Sequence, residues 1–138
     1  MKTVVLLMGL GLTTLSACQA GGAPMNLNYV MRTPEGGIVQ QFTVKGREAE
    51  FFSFSRSKNK SREGTFRLSD RDAATLTRLS AGLKDYTCQP ADPFNNQTIE
   101  IVVQDATIRC SEARMDENEA VDQLIQAIRG LIGAQLGR

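Results

Sequence analysis

From residue 26 onwards the chain alternates between a two-residue and a 3.6-residue hydrophobic period, and the switches mark its elements. Leu27, Tyr29 and Met31 fall on one face of residues 26–32, which predicts a strand; Thr33-Pro34-Glu35-Gly36-Gly37 then makes a turn. Over residues 38–45, Ile38, Phe42 and Val44 share a face with Gln40, and Lys45-Gly46-Arg47 forms the next tight turn. Residues 50–56 put Phe52 and Phe54 on one side and Phe51 on the other, and Phe66 and Leu68 alternate within residues 65–68. The pattern predicts four antiparallel strands with one dry face.

Helical spacing takes over at Ala73, Leu76, Leu79, Ser80 and Leu83, after Ser69 as cap with Asp72 three residues on, and Gly82 with Lys84 marks the stop. Ile99, Ile101 and Val103 define a strand over residues 98–103. Gln104-Asp105-Ala106 turns it, and residues 107–110 return. The acidic start Asp116-Glu117-Asn118-Glu119 leads into Val121, Leu124, Ile125, Ile128, Leu131 and Ile132, the strongest stripe in the chain. Gly130, Gly133 and Gly137 cost about 1 kcal/mol each against alanine in a helix interior, so the last turns are expected to fray. The fold class expected is α+β: an antiparallel sheet in the order ββββαββα, with two helices packed on one face.

The first 25 residues have neither period. Lys2 and an apolar run over residues 4–12 form the n-region and h-region of an export signal, too short for a membrane-spanning helix of about 20 residues. Leu15-Ser16-Ala17-Cys18 follows, and in this order it resembles the lipobox of bacterial lipoproteins. The resemblance implies cleavage before Cys18, diacylglycerol on its sulfur and an acyl chain on its new amine. Two or three acyl chains anchor stably where one is marginal. Gln19 after the cysteine looks like the sorting signal for an outer membrane, periplasmic face. The competing reading is an ordinary cleaved signal with an incidental cysteine. Gln19-Ala20-Gly21-Gly22-Ala23-Pro24 reads as a flexible tether. The expected organisation is a signal peptide over 1–17, lipidated cysteine and tether over 18–25, and one domain over 26–138.

Charge and composition narrow the chemistry. Of 16 basic and 15 acidic residues, Lys2 leaves with the signal, and the balance that remains gives no pull towards nucleic acid. Cys88 and Cys110 form an even pair in an exported chain, so a disulfide is expected, ahead of a redox pair or a metal site. The chain has no histidine, which excludes Ser-His-Asp and Cys-His catalysis and a His-rich zinc site. Ser55 and Lys58 match a Ser-x-x-Lys spacing at a strand end, where that motif has no helix to start. Asp116 to Glu119 opens like a calcium loop, but Ala120 stands where a ligand is needed. The acidic pairs suit helix starts. The chain is thus expected to be no enzyme, with no cofactor and no metal.

Arg56, Lys58, Lys60 and Arg62 recur at every second residue. In an extended ribbon they would project from one side. They form either a solvated tip that discourages edge pairing or a contact for anionic lipid, lipopolysaccharide phosphate or an acidic partner.

One family resemblance reaches the domain itself. Arg32, Gly36-Gly37, Phe66 and Leu68 before a helix with Leu76 and Leu79, then Pro90-Ala91-Asp92 and a final helix, are similar in layout to emfourin-type inhibitors of thermolysin-like metalloproteases. The resemblance assigns no individual functional residue; it implies a protein-binding, inhibitor-like role. The expected function is therefore a lipid-anchored, non-enzymatic module that binds an envelope protein, as inhibitor or assembly factor. The alternative is a structural protein of the membrane surface that uses the basic hairpin.

Overall fold

A computed structural model describes residues 25–88 and 96–138. Cys18, the signal, the tether as far as Pro24, and Pro90-Ala91-Asp92 lie outside the described residues; Met25, grouped with the tether in the sequence, is buried in the core. Strands β1 (Asn26–Arg32), β2 (Ile38–Lys45), β3 (Glu48–Ser55) and β4 (Lys60–Arg67) form the meander. Helix α1 (Asp70–Ser80), strands β5 (Tyr86–Thr87), β6 (Thr98–Val103) and β7 (Ala106–Ser111), a 3₁₀ helix (Glu112–Glu117) and helix α2 (Glu119–Leu136) complete the described residues. The seven strands make one sheet in the order β4-β3-β2-β1-β6-β7-β5.

The purely antiparallel order expected from the sequence needs correction, because β5 pairs with β7 in parallel, through Tyr86 with Ile108 and Thr87 with Arg109. Two residues are too short to carry a period, and their partner is 22 positions away, so only tertiary pairing creates this strand. The 3₁₀ turn likewise has no fully buried residue to mark it in the pattern. β4 is longer than its apolar alternation, since pairing with β3 runs back to Ser55 opposite Lys60.

One face of the sheet is dry. Tyr29 pairs with Phe42 and with Ile101, and Ile101 with Ile108, so these side chains form a continuous row across β2, β1, β6 and β7. All four are completely buried. Phe51, opposite Phe42, is the core aromatic of β3, which puts Phe52 and Phe54 on the other face. Leu76 of α1 and Val121, Leu124, Ile125, Ile128 and Ile132 of α2 join the same core cluster. Across the pair with β4, Gly64 faces Phe51 so closely that an added Cβ would lie 3.1 Å from the ring, so the missing side chain makes room for the aromatic.

Both helix starts use side-chain caps. Ser69 accepts from the Asp72 N–H at 3.1 Å, and Asn118 from the Val121 N–H at 3.3 Å, each satisfying a donor that the first turn leaves over. Despite Gly130 and Gly133 the second helix continues to Leu136, with Gly137 as its C-cap, because its buried stripe extends to Ile132 and tertiary packing outweighs propensity.

Candidate functional site

The sheet has two distinct ends. The chain enters beside the turns that follow β2 and β6: the Met25 carbonyl accepts from Gly46 N–H at 2.8 Å, and the Asn26 carbonyl from Gln104 N–H at 3.1 Å. β3 runs away from that end, and its eight residues carry the chain about 25 Å. The β3–β4 hairpin tip therefore lies at the end opposite the point of entry, together with the β1–β2 turn. There Glu35 is held below the usual carboxylate range by its own backbone N–H, by the Thr33 hydroxyl and by nearby Arg56.

The four sequence-predicted cations do not form one row. Arg56 and Lys58 sit in a four-residue turn closed by Asn59 N–H to the Arg56 carbonyl at 3.2 Å, with Asn59 at a φ of 48°, so the extended ribbon is interrupted. Lys60 and Arg62 belong to β4 and lie on the side of Gly64 and Phe66, the helix side. Arg62 turns onto the end of α2, donating from Nη1 to the Leu136 carbonyl at 2.6 Å. A cation at that position complements the negative end of the helix dipole. Arg56, Lys58 and Lys60 make no ion pair among the described residues. They project from an exposed tip.

Behind the tip runs β4, the terminal strand of the sheet on that side. It pairs with β3 at every residue from Lys60 to Arg67 without a bulge, and it contains no proline. Its other edge has no strand partner among the described residues, and most of its residues are exposed. Between residues 56 and 67 the chain carries five cations, Arg56, Lys58, Lys60, Arg62 and Arg67, against one carboxylate, Glu63. This stretch is a local positive patch in a domain whose charges otherwise balance.

The disulfide joins Cys88 to Cys110 with their Cα atoms 4.8 Å apart, both cysteines buried. It fixes the chain after β5 against the second hairpin. Beside it lies a cleft of about 310 Å³ lined by Val30, Arg32, Thr98, Glu100, Arg109 and Ser111 among others, with Arg109 and Glu100 paired at 2.8 Å.

A polar chain that the periodicity did not mark crosses the core. Arg129 of α2 donates to the Tyr29 hydroxyl at 3.4 Å and to Glu112 at 3.1 Å, and the Tyr29 hydroxyl donates to Gln40 at 2.9 Å. Burial pushes the Tyr29 phenol up, while its hydrogen bond with Arg129 works the other way. The only hint in the sequence is Gln40 placed on an apolar face.

Among the described residues no helix is long and apolar enough to cross a membrane. Comparison of the chain with protein-family models, with curated proteins and with solved structures finds no match.

Proposed function

We propose that this chain is a lipid-anchored, non-enzymatic lipoprotein of the bacterial envelope, facing the periplasm from the outer membrane, whose domain binds a protein partner. The anchoring part rests on Leu15-Ser16-Ala17-Cys18 after the export signal. The binding part rests on one observation: β4 is a regular, eight-residue, exposed strand with a free edge, and such an edge is a template for another chain. A protease-inhibitor-like or assembly role fits that mode of recognition.

A second reading, contact with anionic lipid or lipopolysaccharide through Arg56, Lys58 and Lys60, is favoured by their exposure at the hairpin tip. It is disfavoured by their place at the end opposite chain entry.

Labelled palmitate entering the wild-type chain and failing to enter Cys18→Ser is the expected outcome. A mature terminus at any other residue refutes the anchor. For the binding part, crosslinking in intact cells is expected to capture one envelope protein at the domain; recovery of lipid adducts alone would favour the second reading.

A further inference from the structure

We propose that the free edge of β4 takes an acidic, extended protein segment as an eighth strand, with the cations of the β3–β4 hairpin as its selectivity device. This rests on the binding-module reading and names the partner's chemistry and the mode of its capture.

The backbone supplies the attraction. In an antiparallel ladder each strand directs alternate N–H and C=O groups to either side, so an edge strand leaves every second pair open. β4 meets β3 at each of its eight residues and, among the described residues, has no strand on its outer side. Many natural edges are shortened, bulged or interrupted by proline, and this one is none of these. Its defence is charge alone.

Charge also determines what can dock. Like charges directly opposite one another across a strand pair are destabilising, and opposite charges are favourable. If two copies of this chain met edge to edge, Lys60 and Arg62 would be brought close to the same cations of the partner, with Glu63 the carboxylate of β4 to offset them, while Arg67 is already paired with Glu48 of β3 at 3.3 Å. Self-pairing is thereby discouraged, and a strand bearing glutamate or aspartate is accepted. Lys58 and Arg56 extend the positive field past the end of the strand. Arg62 contributes through its charge only, because its guanidinium is held by the Leu136 carbonyl.

A bilayer fits this surface less well than a strand does. Lipid headgroups could meet the tip, but a plane touching residues 56–60 cannot also pair with the backbone of β4 along its length.

The test uses the full chain, isotope-labelled and held in neutral phosphatidylcholine nanodiscs, with amide hydrogen exchange read residue by residue. The probes are ten-residue peptides, one alternating glutamate and valine, the other lysine and valine. The acidic peptide should slow exchange at alternate amides of β4, and the basic one should bind about tenfold more weakly or worse. Reversing Arg56, Lys58 and Lys60 to glutamate should weaken the acidic peptide by about tenfold, the sum of several exposed pairs. All three are surface positions, and an unchanged exchange pattern elsewhere establishes that the variant is folded.

Protection confined to residues 56–59, or equal binding of both peptides, overturns the proposal. So does the same protection on replacing phosphatidylcholine with phosphatidylglycerol in the absence of peptide, which would make lipid the occupant. A partner crosslinked elsewhere on the domain would refute the β4 edge while leaving the binding-module reading intact.

Discussion

Arg129 on α2 and Glu112 in the 3₁₀ turn meet at 3.1 Å, beside the buried Tyr29. The pair joins the last helix to the segment that precedes it and to the centre of the sheet. Because Glu112 is still partly exposed, the interaction ranks between a surface ion pair and a fully buried one. Arg129→Met should cost about 1–2 kcal/mol in urea unfolding. A loss under about half a kcal/mol would show that the guanidinium is carried passively.

Tyr29 links this network to pH. Its phenol lies above the ordinary value of 10.0, chiefly through burial, so the folded chain keeps a proton that the unfolded chain releases as pH rises past about 10. Stability from this group is complete below that pH and falls above it. Tyr29→Phe should lose about 1 kcal/mol at neutral pH with the bond to Gln40, and its stability should decline less steeply than wild type between pH 10 and higher values. Parallel stability curves would contradict the assignment.

The Cys88–Cys110 bridge closes a separation of 22 residues. On the chain-entropy account it stabilises by roughly 3 kcal/mol. Cys88→Ser and wild type under reductant should show the same drop in melting temperature. A reductant effect absent from the melting curve would mean that the bridge adds no stability.

Arg62 and Lys60 are two residues apart with different duties. Arg62→Ala removes the hydrogen bond to Leu136 and should cost about 0.5–1 kcal/mol, with faster exchange in the last turn of α2. Lys60→Ala should leave the thermal midpoint nearly unchanged. Equal effects would indicate that the helix end does not depend on this contact.

The sequence by itself determined the local elements with strong periods. Leu27, Tyr29 and Met31, the run Ile99, Ile101 and Val103, and the stripe from Val121 to Ile132 are each long enough for burial to impose its repeat. The cap at Ser69 was also legible, since it acts within three residues, whereas for the last helix the sequence marked an acidic start over 116–119 and the structure selected Asn118 as the cap. What the chain could not specify locally was decided by partners far away in sequence. Phe51 became the core aromatic of β3 because Phe42 and Gly64 flank it on the dry face. β5 exists only through β7, and the sheet is mixed for that reason. The four alternating cations were separated into two in a turn and two on β4, one of them bound to a helix end 74 residues away. Periodicity records which side of a single element is buried, whereas the identity of a neighbour and the opening of an edge depend on how the elements assemble.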